Sequence, residues 1–328
     1  MIFDGFIGQP HWQRYFASLA KEGRCAHAYL FSGPRHIGKR TFLRMLSRAM
    51  LCHNITVKGA CGQCVSCRSW QGNEHPDLLR LRLVAGASSI GVQEVRDFIA
   101  AIAQTPFTAR ERIAVIEDLS YLTKAGFNAL LKTLEEPSSA SVIFLVAEVV
   151  ETLLPTVRSR LQHCAFTPVS SSLIMKALQE SGLDRSRSTE LASLSNGLPG
   201  LALRWRSQPA DLKAYEAAGQ QFFDLFEGSL KTRFSFTEDI AKNDDLSLAD
   251  WHGILSHWQL LLRDLLLLSI GEPGLISHTF LRSRLDEVAK TLQARDWLAR
   301  YQMLEWLGWA LDRNANRRLA LNNFFITL

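Results

Sequence analysis

The sequence has no long uncharged apolar run. Its best candidate for a membrane helix, Leu260–Ile270, is shorter than the roughly 18 residues that a bilayer requires and contains Arg263 and Asp264. The N-terminal segment carries an acid at Asp4 and lacks a basic-then-apolar order, so we expect no secretory signal. With 47% apolar and 21% charged residues among 328, the composition excludes a disordered chain. We expect a soluble, cytoplasmic protein of two or three domains with no membrane partner.

Blocks of like charge are missing, and cysteines are few. No run of five acids or five bases occurs, and the formal net charge is +5, which allows an acidic partner such as DNA but does not establish one.

A reducing cytosol makes a disulfide framework among the six cysteines unexpected. Cys25 and Cys164 stand alone and fit small buried residues.

The first half alternates short apolar runs with helical segments, which predicts an α/β fold with a parallel sheet. The predicted strands are Tyr29–Ser32, Leu78–Leu83, Ile113–Ile116, Val142–Ala147 and Cys164–Phe166. The predicted helices between them are Lys39–Leu51, Gly91–Gln104, Thr123–Leu134 (with Thr123 as a possible N-cap) and Leu153–Leu161.

From Pro168 onward the strand pattern stops. A helix is predicted from Ser170–Ser172 through Leu178, then a loop over 181–188 and a short helix over Thr189–Leu194. Beyond it, apolar residues recur three or four apart, and six of the eight tryptophans lie between Trp205 and Trp309, which predicts core and subunit-interface filling. We predict an α/β domain over 1–167, a small helical domain over 168–207 and a helical domain over 208–328.

A glycine-rich loop, GPRHIGK, runs from Gly33 to Gly38 and Lys39. It follows an apolar strand and opens a helix, the context in which backbone N–H groups and the helix dipole cradle phosphates, with the lysine meeting the outer ones. The next position should hold Mg²⁺ through a hydroxyl but is Arg40, and Thr41 lies about 100° further round the helix. The loop resembles a phosphate cradle without its metal ligand. ATP binding stays open, and hydrolysis is not expected.

Two acids, Glu117 and Asp118, end the predicted third strand. In phosphoryl-transfer sites, acids at this place hold Mg²⁺ and activate water, but their order here is the reverse of the usual Asp-Glu. The longer glutamate displaces its carboxylate by about one methylene, and positioning is most of this catalysis. The alternative is a pair of solvent-facing acids at a strand end.

Four cysteines, Cys52, Cys61, Cys64 and Cys67, fall within sixteen residues. CxxC spacing lets two thiolates chelate one ion, and four thiolates complete a closed tetrahedral site, so we predict structural Zn²⁺. The alternatives are free thiols or an iron–sulfur cluster, although the fourth cysteine and proline of the common cluster motif are absent.

A short TVRSR segment ends with Arg160, just before the predicted last strand. The guanidinium is always charged and its planar fork matches phosphate, so it can stabilise transition-state charge in a neighbour's site. The alternative is an arginine that complements the dipole of its own helix.

Taken in order, the chain shows FDGFIGQPHWQ, HAYLFSGPRHIGK, C…CGQCVSC, NALLKTLEEP and LPTVRSR. Together these segments resemble the AAA+ clamp-loader family of bacterial replication, and the resemblance covers nearly the whole chain. It implies an AAA+ α/β domain over 1–167 with a P-loop NTPase-like parallel sheet and a Cys₄ zinc module at 52–67. A small helical lid over 168–207 and an all-α collar over 208–328 would follow.

Four departures from the motor subunits of this family favour a subunit without motor activity. Arg40 replaces the Mg²⁺ hydroxyl, and the acids Glu117 and Asp118 are reversed. No sensor threonine follows the fourth strand, where residues 146–148 read VAE, and the position of a sensor arginine falls in SNGLPG at 195–200.

The resemblance implies a rigid stator in a hetero-pentamer with motor subunits (gamma/tau) and a delta subunit, which loads a sliding clamp onto primed DNA. Arg160 would be the arginine finger for ATP bound by the adjacent motor subunit. The third residue of its motif is usually Cys and here is Leu161. The alternatives are an active motor ATPase of the same complex and a zinc-dependent nucleic-acid-binding module.

Overall fold

The computed structural model describes residues 2–22, 25–56, 59–84, 86–135, 141–148, 150, 158–241, 248–313 and 315–328. The chain divides into two compact units, one of Met1–Gly182 with Gly197–Leu201, and one of Leu183–Asn196 with Ala202–Leu328. The domain boundaries at 167 and 207 stay predictions.

The first unit is an α/β unit. Its elements are, in chain order, α1 (Pro10–Glu22), β1 (Ala28–Ser32), α2 (Lys39–Met50), α3 (Val65–Arg68), β2 (Leu78–Leu81), α4 (Val92–Ile102), β3 (Arg112–Ile116), a 3₁₀ turn (Leu119–Tyr121), α5 (Lys124–Glu135), β4 (Ser141–Val146), β5 (Gln162–Ala165) and α6 (Ser171–Glu180).

The five strands form one parallel sheet in the order β2-β3-β4-β1-β5, so the predicted parallel α/β sheet is confirmed. Strands β1, β3 and β4 are buried along their whole length, as near-continuous apolar runs in a sheet covered on both faces should be. The glycine-rich loop follows β1 and the two acids follow β3, which places both at the carboxyl edge where parallel sheets bind ligands.

An aromatic cluster fills the space between the sheet and helices α1 and α2. The ring centroids of Phe16 lie 5.4 Å from Phe31 and 5.7 Å from Phe42, and Phe42 also meets Phe166 at 5.3 Å. These rings are almost fully buried, so they fix α2, whose first residue is Lys39, against the end of β1.

Some local predictions shift. The side chain of Thr123 accepts a hydrogen bond from the Gly126 N–H at 3.1 Å, which confirms it as a cap of α5. The last strand begins and ends earlier than predicted, at Gln162–Ala165. The predicted helix Leu153–Leu161 lies outside the described residues up to 157.

The second unit is helical, which confirms the predicted helical C-terminal region. Its elements are α7 (Arg185–Leu194), α8 (Pro199–Ser207, which begins in the first unit), α9 (Pro209–Glu227), α10 (Leu230–Ala241), α11 (Leu248–Ser269), 3₁₀ turns at Pro273–Leu275 and Thr279–Leu281, α12 (Arg282–Val288), a 3₁₀ turn at Ala289–Thr291, α13 (Ala294–Asp312) and α14 (Arg317–Thr327).

The predicted loop over 181–188 is wrong in its second half. Helix α7 begins at Arg185 because the side chain of Asp184 accepts a hydrogen bond from the Arg187 N–H at 2.9 Å and caps the first turn. The serines and arginines of this stretch therefore belong to a helix, although their pattern is not amphipathic.

Tryptophan and phenylalanine dominate the second core. Trp251, Trp258 and Trp297 are buried among leucines of α11 and α13, as predicted for core filling, whereas Trp306 and Trp309 are exposed. Within the part of the chain that the structure describes, no helix is both long and apolar enough to span a bilayer.

Candidate functional site

The glycine-rich loop has the backbone geometry of a phosphate cradle. Gly33 and Gly38 have φ values of +133° and +103°, which L side chains rarely adopt, and His36 between them has a left-handed φ of +61°. Gly38 then starts α2. The loop thus turns its chain tightly between a buried strand and a helix N-terminus, as the motif predicts.

Lys39 does not project from this loop. Its Nζ donates to the carbonyl oxygen of Gly33 and, at 2.9 Å, to that of Pro34, and the side chain is only 7% exposed. Burial lowers the pKa of Lys39 from 10.5 to about 8. The ammonium that should meet the outer phosphates is instead held by the loop's own carbonyl groups.

Other parts of the first unit close over the loop. A Cβ on Gly38 would lie 3.1 Å from the ring of Phe6, and the Gly200 N–H donates to the His36 carbonyl at 2.8 Å. A Cβ on Gly200 would fall 2.6 Å from that same carbonyl oxygen. Two segments distant in sequence therefore pack against the loop.

The two acids are engaged by the protein itself. Glu117 forms ion pairs with Arg40 at 3.8 Å and with Arg80 at 3.7 Å. Asp118 caps the following 3₁₀ turn, accepting hydrogen bonds from the N–H and hydroxyl of Ser120 at 3.0 and 2.6 Å. Arg40 stands where a Mg²⁺-binding hydroxyl is expected. Its positive charge lies beside Glu117, the acid that would otherwise help to bind that ion.

Thr41 lies exposed on the first turn of α2. At the end of β4, Glu148 forms an ion pair with Arg35 of the loop. The sequence-predicted nucleotide residues are therefore gathered at one sheet edge, but each charged group among them is already bound by another part of the protein: Lys39 by loop carbonyls, Glu117 by two arginines and Asp118 by Ser120.

The four predicted metal ligands come together. The sulfur atoms of Cys52, Cys61, Cys64 and Cys67 all lie within 4.8 Å of one another, and those of Cys61 and Cys67 are 3.9 Å apart. Tetrahedral zinc with Zn–S bonds of about 2.3 Å places its sulfurs roughly 3.8 Å apart. The cluster could therefore hold a metal ion of this size.

Backbone N–H groups point at the cysteine sulfurs. Cys61 accepts from Gln63 and Cys64 at 3.5 and 3.4 Å, and these bonds lower the pKa of Cys61 to about 6. Burial raises the pKa of Cys67 to about 12. These N–H groups favour the thiolate form of Cys61, and a bound cation would supply the charge that stabilises the other thiolates.

Arg160 lies just before β5 and is 41% exposed. Its guanidinium forms an ion pair with Glu135, the last residue of α5, at 3.2 Å. Leu161, which stands at the usual cysteine position of the motif, is buried in the core behind it. Thr156 and Val157 lie outside the described residues.

Sequence reasoning missed Arg80, Glu148 and Gly200 as members of the site. The signal for Arg80 was present, since an arginine within the apolar strand LLRL needs a carboxylate partner. The contact between Gly200 and His36 joins residues far apart in the chain and has no local signature.

The chain matches known families over its first unit. The model of the family described as "DNA polymerase III, delta subunit" matches residues 8–170. The delta' subunit of DNA polymerase III from Pseudomonas aeruginosa is 33% identical over 203 residues, which are 61% of this chain and 61% of that relative. The gamma/tau subunit from Mycobacterium tuberculosis is 35% identical over 164 residues, 50% of this chain and 28% of the relative.

The chain therefore spans less than two thirds of the length of these curated relatives. Among solved structures, a DNA polymerase III gamma subunit-related protein from Thermotoga maritima aligns with 95% of this chain and 97% of its own, at 16% identity and a TM-score of 0.44. That likeness is weak, and the sequence matches carry the assignment. Over residues 8–170, the chain belongs to the family of DNA polymerase III clamp-loader subunits that includes delta-prime and gamma/tau.

Proposed function

We propose that this chain is the delta-prime stator of a bacterial clamp loader and does not itself hydrolyse ATP. It would assemble with gamma/tau motor subunits and a delta subunit into a hetero-pentamer that places a sliding clamp on primed DNA. Family membership supports the clamp-loader role. The state of the phosphate loop supports the choice of a subunit without motor activity.

The ion pair between Arg40 and Glu117 is the observation that carries this choice. Phosphoryl transfer needs a divalent ion held by a loop hydroxyl and an acid, and here a guanidinium lies 3.8 Å from that acid. The ammonium of Lys39 is bound to loop carbonyls rather than free for phosphate. A hydrolytic site would require both groups to move.

Arg160 is the residue we propose to act in the neighbouring motor subunit. Its partial exposure leaves the guanidinium able to exchange Glu135 for a phosphate of comparable charge. An exposed ion pair is worth about 1 kcal/mol or less, so this exchange costs little.

Structural Zn²⁺ is the proposed occupant of the cysteine cluster. Four sulfur ligands leave no open coordination position, so the ion would stabilise the fold and supply no catalysis. Cys52, Cys61, Cys64 and Cys67 would hold it.

The test is DNA-stimulated ATP hydrolysis by the reconstituted assembly of this chain with motor subunits, delta and clamp. Wild type is compared with Arg160→Ala and Lys39→Ala, and Arg158→Ala serves as the matched control because Arg158 is exposed in the same segment. An arginine finger contributes about 10³-fold or more at the site that it serves. Arg160→Ala should therefore remove the turnover of that site, and the other two variants should retain it.

Loss of turnover with Lys39→Ala instead would mean that the loop still has a working nucleotide role, which favours the motor ATPase. Equal turnover in all variants would refute the arginine finger. Assembly must be checked in each sample by gel filtration, because a variant that fails to assemble would lose activity for another reason.

A further inference from the structure

The exposed face of helix α2 carries a row of arginines. Arg40, Arg44 and Arg48 lie four residues apart and are all exposed, whereas the opposite face of the helix is buried against the aromatic cluster. A spacing of four residues places them on one side of the helix, about 6 Å apart along its axis and about 12 Å from first to last. The row therefore presents like charges at regular intervals on a rigid element.

The start of the row is joined to strand β2 through one shared acid. The carboxylate of Glu117 pairs with Arg40 at 3.8 Å and, through its other oxygen, with Arg80 at 3.7 Å. Because a single acid faces two arginines, one positive charge is left over at this end. The side chain of Arg40 is 65% exposed, so a ligand in solution can reach it.

The end of the row is joined to the loop that follows α3. Arg48 donates through Nη2 to the carbonyl oxygen of Gly72 at 2.9 Å, and its guanidinium carbon lies 5.1 Å from the centre of the Trp70 ring. Arg80 donates to the next carbonyl oxygen, that of Asn73, at 2.9 Å. Carbonyl oxygens and a ring face orient both guanidinium groups but leave their positive charge in place.

Two arginines of the row have no acid partner in the part of the chain that the structure describes. The side chain of Arg44 forms neither a hydrogen bond nor an ion pair there, and Arg48 binds a carbonyl oxygen and a ring. The exposed acids in the surrounding segments are Asp4 and Glu74. The row thus keeps an excess of positive charge.

Two further arginines flank the row. Arg68 ends α3, and Arg82 directly follows β2. Both are exposed, and neither side chain forms an ion pair with any residue that the structure describes. The positive excess therefore extends from α2 into both neighbouring segments.

The surface around the row offers charge but little apolar area. Thr41 is the other exposed residue of α2, and Val65 and Val84 are single exposed apolar side chains in the flanking segments. A protein interface has an apolar core, which this surface lacks. Trp70 is half-buried and has Arg48 against its ring, which disfavours stacking of unpaired bases. Duplex DNA stacks its own bases and presents phosphates, so it is the partner that fits.

We propose that the exposed face of α2 binds the backbone of duplex DNA without reading its sequence. Each strand of a duplex carries one phosphate per about 3.4 Å of helix axis, so a row of about 12 Å spans three to four phosphates of one strand. The planar guanidinium group matches phosphate and stays charged at every physiological pH. This inference goes beyond the proposed function, because it assigns a DNA contact to the surface of this chain itself.

The test is fluorescence anisotropy of the full chain with a labelled duplex of about 20 base pairs, between about 50 and 200 mM salt. About three neutralised phosphates should give a slope of about −3 for the logarithm of the binding constant against the logarithm of salt concentration. Arg44→Gln should weaken binding about fivefold and make this slope less steep by about 1. Its side chain has no contact to lose, so the fold is retained, and Arg82→Gln should act in the same direction.

Arg295→Gln is the matched control, because Arg295 is 80% exposed in the second unit and its replacement removes the same charge. It should change the affinity less than twofold. An affinity and a salt slope of Arg44→Gln equal to those of wild type would overturn the proposal, as would a wild-type chain that does not bind the duplex.

Two competitors distinguish the duplex from other acidic partners. A single strand of the same length that binds more tightly than the duplex would overturn the choice of duplex DNA. Polyglutamate that displaces the duplex at equal charge concentration would mean an acidic protein partner instead. All of these results leave the proposed stator standing, because ATP turnover of the assembly tests that role separately.

Discussion

The pH dependence of the free energy of unfolding should show whether Lys39 is buried in the loop or solvated. The ammonium is almost fully buried, and its pKa falls from 10.5 to about 8 because burial disfavours the charged form. A difference of about 2.5 between two pKa values corresponds to about 3 kcal/mol of folding free energy. Replacement by methionine, which keeps the apolar stem without the charge, removes this contribution.

The direction follows from proton binding. Below about pH 8 both the folded and the unfolded chain hold the proton on Lys39, and the folded state bears the full cost of the buried charge. Between about pH 8 and 10.5 the unfolded chain holds the proton and the folded chain releases it, so stability rises with pH. The free energy of unfolding of wild type relative to Lys39→Met should therefore increase by about 3 kcal/mol across this range.

The assay is urea unfolding of both proteins between about pH 7.5 and 10.5, with Lys176→Met as the matched control. The side chain of Lys176 is 71% exposed, so its variant should differ from wild type by a constant amount. A difference for Lys39→Met that stays constant within about 0.5 kcal/mol would refute the reasoning. It would mean that the ammonium is solvated and available to a phosphate, and the proposed inactive loop would rest on the Arg40–Glu117 ion pair alone.

Three further changes test other parts of the molecule. Cys64→Ser should abolish stoichiometric zinc in metal analysis by mass spectrometry and lower the melting temperature, and unchanged zinc content would contradict the metal site. Gly33→Ala should cost about 2–4 kcal/mol in urea unfolding, because φ is +133° and the added methyl would lie 2.3 Å from a backbone carbonyl oxygen. Gly182→Ala, also at positive φ (+91°) but in open space, should cost only about 1 kcal/mol, so equal losses would refute the packing argument. Asp264→Asn should cost about 2–4 kcal/mol in the second unit's tryptophan-monitored unfolding, since this buried carboxylate accepts two backbone N–H groups and a histidine Nδ1–H.

The spacing of apolar residues and the positions of turn-forming residues predict those elements of the fold that depend on local sequence. The strand at 113–116 and the helix that follows Gly38 are visible because apolar runs and a glycine-rich turn have few other interpretations. The start of α7 is missed because a single cap, Asp184, outweighs a sequence without amphipathic pattern. One side-chain hydrogen-bond acceptor can decide where a helix begins, and the spacing of apolar residues does not reveal it.

The chemistry of the site is less predictable because it depends on pairing between distant residues. Substitution at position 40 indicates that a hydroxyl is missing, but only the fold shows that Arg40 and Arg80 both face Glu117. The reversed order of the acids is visible in the sequence, but the partners of Glu117 come from helix α2 and strand β2 and could not be read from it. Charges can be counted in a sequence, whereas their neighbours are fixed by topology.

The glycines of the phosphate loop also have a reason to exist without a nucleotide. A side chain at Gly33 would collide with the carbonyl oxygen of Phe166, and one at Gly38 would press on the ring of Phe6, so packing alone demands glycine at both positions. Glycine is thus needed at these positions for two reasons. Phosphate binding needs it in proteins that hydrolyse ATP, and the residues packed around the loop, Phe166 and Phe6, need it here. Loss of the first requirement leaves the second in force. A GxxxxGK loop is therefore evidence of the fold that surrounds it, and its activity has to be judged from the groups that face it, Arg40, Glu117 and Lys39.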